Sequence, residues 1–421
     1  MTSMYPLRTA AALTAFFTLQ GVYAALDVSS SSNIAIYWGQ NSYGDSSGSL
    51  AQQNLAYYCK NSGIDVIQLA FLDVVNGEGG APEINFANSG DSCTAFAGTA
   101  LLECPTIGED IVTCQSLGKT ILLSIGGATY SEGGFTSEDA AVAGAKMIWK
   151  TFGPVSTDTS IHRPFGRAVV DGFDFDFEST VTHMPSFGNE LRRLFTQDTS
   201  KTYYLTAAPQ CVYPDAADSP MLDGAVYFDA IWVQFYNNDC GINHFMTNST
   251  KQTLFNFASW NTWATTISQN KDVKVLLGIP GGSTAAGTGF ESASTVALIV
   301  DYIVSKGYKS FGGVMFWDAS EVYANCGILT SIASYLPSPS TSIQLSTIEE
   351  HGYFQPGEEG LQIDIDKPEF YHADQCNGSS FGICANGVWI IETCESGLIC
   401  VQDGPSVYCD YKNDHPDTTC T

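Results

Sequence analysis

Residues 171–178 read Asp171-Gly172-Phe173-Asp174-Phe175-Asp176-Phe177-Glu178, and their period decides the fold. Alternate side chains of an extended strand share a face. Phe173, Phe175 and Phe177 therefore form one apolar face, and Asp174, Asp176 and Glu178 form the other. A half-exposed sheet with a polar face would show the same alternation. The apolar lead-in Ala168-Val169-Val170 argues instead for a strand covered on both sides. In a closed barrel wrapped by helices, the Phe face meets the helices and the carboxylates point inward. Acids crowded into a restricted volume cannot all ionise; repulsion and desolvation keep at least one protonated near neutral pH. Such an acid suits proton donation to a leaving oxygen, the requirement of glycoside cleavage. Glu178 closes the strand at its C-terminal end, where barrel active sites lie, and is the candidate donor.

Working outward, eight short β-rich runs lie between Asn33 and Trp317: 33–38, 65–72, 120–124, 172–177, 203–208, 230–234, 273–279 and 313–317. Most of the gaps leave room for a helix, and Leu191–Phe195 and Ala297–Ser305 are helix-like. Alternation of this kind predicts an α/β fold, a (β/α)8 TIM barrel. An open doubly wound sheet is the other reading, weakened for a dinucleotide-binding version by the lack of Gly-x-Gly-x-x-Gly after the first strand. Gly44-Asp45-Ser46-Ser47-Gly48 fits a hydrolase elbow by letter only, because no strand runs directly into the serine. Gly281-Gly282-Ser283 lacks the lysine of a phosphate loop and reads as a turn.

The 421 residues have room for one large domain and a smaller unit. Residues 1–24 read as a signal peptide: Arg8, a short apolar run from Ala10 to Leu19, and the cleavage pattern Val22-Tyr23-Ala24. That run is too short to span a bilayer, so a secreted protein without a membrane partner is expected. With a formal net charge of −27, the chain is a poor ligand for nucleic acid or anionic membranes, whereas a neutral polysaccharide is compatible with it. The 13 cysteines fit an oxidising compartment; seven lie between Cys59 and Cys326 and six between Cys376 and Cys420. Asn248 and Asn377 open glycosylation sequons. The six histidines show no metal-ligand spacing, and neither a metal nor a cofactor is expected.

Asp171-x-x-Asp174-x-Asp176-x-Glu178 resembles the signature of glycoside hydrolase family 18, the chitinase family, and Ser124-Ile125-Gly126-Gly127 resembles its Ser-x-Gly-Gly signature. Tyr37-Trp38-Gly39-Gln40-Asn41, Trp232–Asn238 and Gly313–Trp317 are similar to the class III, hevamine-like plant and fungal branch. The resemblance covers roughly residues 30 to 335. It implies a retaining reaction on chitin or N-acetylglucosamine oligomers, in which the substrate's own 2-acetamido oxygen is the nucleophile, an exception to the two-carboxylate scheme. By the same resemblance Glu178 is the proton donor, Asp176 orients the acetamide N–H, Asp174 shares a proton with Asp176 and tunes it, and Tyr236 holds the acetamide carbonyl. Trp317 is implied as a stacking floor for a sugar ring, although a tryptophan at a strand end also serves as core. Tyr37, Gln40, Gly127 and Gln234 are implied as substrate contacts. The resemblance further implies disulfides Cys59–Cys114, Cys93–Cys104 and Cys211–Cys240, with Cys326 left over as a small buried apolar group, and non-proline cis peptides at Ala70-Phe71 and Trp317-Asp318. A monomer is expected. A non-catalytic chitin-binding lectin or inhibitor on the same barrel and an endo-β-N-acetylglucosaminidase remain alternatives.

The organisation expected is therefore a barrel over residues 30–336, an acidic linker over 337–375 opening with Pro337-Ser338-Pro339, and a cysteine-rich module over 376–421. Phe381–Trp389, with Cys394, Gly397 and Cys400, resembles family 19 carbohydrate-binding modules of fungal chitinases. Trp389, Tyr408 and Tyr411 are its candidate stacking residues, with Trp389 equally suited to be the module's own core. A tethered module raises the local concentration of an enzyme on a solid polymer. Deleting residues 345–421 is expected to reduce retention on solid chitin while sparing hydrolysis of soluble oligomers; a sedimentation assay comparing full-length and shortened chains checks it.

Overall fold

In the computed structural model, residues 25–337 are described except 45, 46, 49 and 326, together with the backbone of short strands between Gln375 and Tyr411. Eight strands alternate with helices: β1 (Asn33–Trp38), β2 (Val66–Val74), β3 (Thr120–Gly126), β4 (Gly172–Asp176), β5 (Tyr204–Ala207), β6 (Ala230–Gln234), β7 (Lys274–Pro280) and β8 (Phe311–Trp317). Each pairs in parallel with the next, and β1 pairs with both β2 and β8, so the sheet closes on itself. The expected (β/α)8 barrel is thus present, with strand ends within two residues of those read from the sequence.

The interior of the barrel is a packed core of Ala35, Tyr37, Val66, Ala70, Leu122, Trp232, Leu276 and Met315. Between strands and helices lies a second, larger layer. The phenylalanines of β4 belong to it: Phe173 stacks on Phe195, and Phe175 meets Phe187 and Phe228, with ring centroids 6.2, 5.7 and 6.1 Å apart. Phe187 and Phe195 come from α1 (Met184–Phe195), whose buried Met184, Phe187, Leu191, Leu194 and Phe195 follow helical spacing. Arg192 and Arg193 in its last turn complement the helix dipole.

One device recurs at the N-terminal end of the barrel. Asp65, Asp171 and Asp229 immediately precede β2, β4 and β6, and each accepts the backbone N–H of the preceding strand: Ile34 at 2.7 Å, Ile121 at 2.8 Å and Leu205 at 2.8 Å. Lys201 pairs with Asp171 and Arg192 with Asp229. Asp65 is buried, and its carboxyl is pushed up to about 6, against the Ile34 amide and the Lys119 charge that pull it down. Asp171, the first acid of the signature, therefore ties strands together at the end remote from Glu178.

Disulfides join Cys59–Cys114, Cys93–Cys104 and Cys211–Cys240, with Cα separations of 5.2, 4.8 and 5.8 Å. The peptides Ala70-Phe71, Trp317-Asp318 and Tyr213-Pro214 are cis, the last not foreseen from the sequence. Asn248 is exposed in a loop with φ 61°. Residues 1–24, the loop residues Asp45 and Ser46, Cys326 and most of the linker lie outside the described residues, as do the side chains of Asn377, Trp389, Tyr408 and Tyr411. No described helix is long and apolar enough to cross a membrane. Phe175→Ala is expected to cost about 3–5 kcal/mol, because the cavity between β4 and α1 cannot collapse around it; urea denaturation with disulfides intact measures the loss.

Candidate active site

The strand register builds the site. Ser124 of β3 lies opposite Asp174 of β4, and Asp174 lies opposite Thr206 of β5. Both hydroxyls donate to it, Ser124 at 2.7 Å and Thr206 at 2.6 Å. The Tyr37 hydroxyl reaches it from β1 at 2.7 Å and the Trp232 indole N–H from β6 at 2.8 Å. Asp174 is fully buried, and its two oxygens accept four bonds from four strands. Burial pushes its carboxyl up, while the four donors pull the other way. Four donors on two oxygens leave the Asp174 carboxyl no open lone-pair direction.

Two residue pairs further along, Gly126 faces Asp176. A Cβ on Gly126 would sit 2.3 Å from the Asp176 carbonyl oxygen, and its φ of +123° excludes ordinary side chains. Gly127, at φ +84°, donates its N–H to the same carbonyl at 2.7 Å, and a Cβ there would strike the Phe71 ring at 2.8 Å. The Ser-Ile-Gly-Gly stretch thus supplies a hydroxyl for one acid and a close backbone approach for the next. Gly127 is buried in this contact and does not line the cleft.

Asp176 is buried and accepts from the Gln234 side-chain amide at 2.9 Å. Desolvation, then the charges of Glu178 and Asp174, push its carboxyl well above the ordinary range. Glu178 is accessible to solvent on the cleft side, yet it too is raised, by desolvation and by Asp215. Tyr236 is buried, and its hydroxyl is pushed well up by desolvation and by Asp176 and Glu178, so it keeps its proton.

These groups open onto a cleft of about 240 Å³ at the C-terminal end of the barrel, lined by Tyr37, Asp176, Glu178, Gln234, Tyr236 and Trp317 among others, with no Lys, Arg or His. Trp317 is half-buried, its ring 5.4 Å from Tyr37 and stacked on Phe71 at 5.9 Å and 20°. Gln40 departs from its expected place. It is absent from the cleft wall, and its amide nitrogen is held by the backbone carbonyls of Ala70 at 2.8 Å and of Gly39 and Asn85 at 3.2 Å. A donor committed to three carbonyls clamps the ends of β1 and β2 together and is not offered to a ligand.

A family model described as "Glycosyl hydrolases family 18" matches residues 33–288. The chain belongs to this family. A class III chitinase of Arthroderma benhamiae is 48% identical over 329 residues, 78% of this chain and 92% of that protein. Endochitinase 33 of Trichoderma harzianum is 46% identical over 314 residues, 74% of this chain and 94% of that protein. Among solved structures, the ICChI chitinase of Ipomoea carnea is 28% identical with a TM-score of 0.58, covering 72% of this chain and all of that one. A xylanase and α-amylase inhibitor protein of Scadoxus multiflorus is equally similar, at 28% and 0.58, over 72% of this chain and 98% of that one.

This family 18 glycoside hydrolase also uses residues not singled out from its sequence. Gln210 and Asn238 line the cleft, with the Asn238 amide donating to Gln210 Oε1 at 2.9 Å. Asp215 and Asp218 lie behind them. Gln210 lies three residues past the end of β5, and position at the C-terminal face of a strand was the signal that would have found it. No local pattern marks Asp215. Gly126→Ala is expected to displace the end of β4, lowering hydrolytic kcat at least about tenfold and stability by about 2–4 kcal/mol; steady-state kinetics and thermal melting check both.

Proposed function

We propose that the chain is a secreted chitinase that hydrolyses β-1,4 bonds between N-acetylglucosamine units with retention, using the substrate's acetamido group as nucleophile. One observation carries the reading: Glu178, Asp176 and Tyr236 converge on a single cleft floored by Trp317. Secretion is supported by the leader-like residues 1–24 and by three disulfides. The named chitinases among its relatives support the substrate class.

In this reading Trp317 stacks on the apolar face of the sugar at the cutting point. Neighbouring carboxyls of raised pKa hold one proton between them readily, and Glu178 passes it to the bridging oxygen as the glycosidic bond breaks. The acetamido oxygen attacks the anomeric carbon and gives an oxazolinium ion. Asp176, ionised and steadied by Gln234, accepts the acetamide N–H and offsets the developing positive charge. The Tyr236 hydroxyl donates to the acetamide carbonyl and aligns it. Glu178, now a carboxylate, takes a proton from water, whose oxygen opens the oxazolinium ion and restores the starting configuration. A second nucleophilic carboxylate has no part in the sequence of steps.

The presence of all three groups favours hydrolysis over sugar binding alone. Glu178→Gln is expected to lower kcat on N-acetylglucosamine oligomers about 10³-fold with oligomer affinity largely kept, as measured by product chromatography and calorimetry. Activity within a few-fold of the parent would overturn the assignment. Cleavage of a high-mannose glycopeptide in preference to the oligomers would overturn the substrate class.

A further inference from the structure

The loop after β5 carries two acids that the reaction as proposed does not use. Asp215 is buried and accepts three backbone N–H bonds, from Gln210 at 3.1 Å, Ala217 at 2.8 Å and Asp218 at 2.7 Å. The loop holding it is fastened from several sides. Cys211 is bonded to Cys240, and its carbonyl accepts from Asn256 at 2.7 Å and from the Trp260 indole at 3.1 Å. Gln210, tied to Asp215 through its backbone and to Asn238 through its side chain, forms part of the cleft wall beside Glu178. Asp215 is thus fixed one residue layer behind the cleft. Asp218 is wholly buried, and neither of its oxygens has a hydrogen-bond partner among the described residues.

We propose that Asp215 is a positioning residue that helps set the protonation of Glu178: it is a carboxylate locked behind the cleft by three amide donors, and its negative field holds the proton on the catalytic acid. Burial raises the Asp215 carboxyl, and its three amide donors pull it back toward the ionised form, which it holds at the alkaline end of the profile. Asp218, without any donor and beside Asp215, is pushed well up and stays neutral, so only one of the two carries charge. The titratable groups facing Glu178 are Asp176 and Asp174 from β4, Tyr236 at the end of β6, and Asp215 and Asp218 from the segment after β5. Among the described residues no Lys, Arg or His is ion-paired with any of these acids. Among these groups Asp176 shares its repulsion with Glu178 from the same strand, and Asp215 adds a second negative field from the segment after β5.

The inference rests on Glu178 being the proton donor. A donor must be protonated, so kcat/KM falls at high pH as Glu178 ionises. Removing the charge of Asp215 lowers the pKa of Glu178 and moves that alkaline limb toward acid, by roughly half to one pH unit. Asp215→Asn and Asp215→Ser both remove the charge while keeping an oxygen to accept loop amides, so that one folded variant suffices. Asp218→Asn replaces a neutral group by a neutral group, and its limb is expected to coincide with the parent's. The full-length chain and each variant are assayed on a soluble N-acetylglucosamine oligomer across pH, with folding checked by near-UV circular dichroism. An unshifted limb in the folded Asp215 variants overturns the proposal, even if kcat falls, because a merely structural role would lower the rate without moving the profile. An equal shift in Asp218→Asn overturns the assignment of the charge to Asp215 alone. Failure of the underlying reading is distinguishable: it appears as an active Glu178→Gln enzyme.

Discussion

Four strands meet at one carboxylate. Tyr37, Ser124, Thr206 and Trp232 each send a donor to Asp174, from β1, β3, β5 and β6. A buried carboxylate without partners would be untenable, and one with four is a rigid node. Its position fixes the β4 backbone, hence the places of Asp176 and Glu178 two and four residues on. The barrel is closed around this group, and the two acids that line the cleft take their geometry from it.

The two ends of β4 divide the labour of its acids. At the N-terminal end Asp171 serves the backbone of β3 and pairs with Lys201, in common with Asp65 and Asp229 at alternate strands. Such groups hold strands in register. At the C-terminal end Glu178 opens on a cleft whose described lining has no Lys, Arg or His. The first acid of Asp-x-x-Asp-x-Asp-x-Glu is therefore a fastener, the second an anchor, and only the last two line the cleft.

Period-2 alternation made β4 and its two faces legible from sequence, because a buried strand leaves no freedom in which side chain points where. The same held for the eight strands, each a short apolar run. Trp317, Tyr37 and Gln234 were legible through resemblance to a family, as were the three cysteine pairs, which spacing alone leaves open. Gln40 shows the limit. Its type suits a sugar hydroxyl equally well as a carbonyl, and only the approach of Ala70 and Asn85, 30 and 45 residues distant, decides between them. Asp215 was invisible for a related reason: its partners are backbone amides, which any residue supplies.

The buried acids carry a consequence for the whole molecule. Asp65, Asp174, Asp176, Glu178, Asp215, Asp218, Asp229 and Glu321 are all raised above their ordinary values, mainly by burial. Through these groups the native chain binds more protons than the unfolded one wherever pH lies between the ordinary and the raised values, and there stability grows as pH falls. For Asp65 that window runs from about 4, its value when unfolded, to about 6. Mild acid thus adds to stability through these buried groups, while Asp27, Asp158, Glu190 and Asp198, which are lowered by their hydrogen-bond partners, work in the opposite direction.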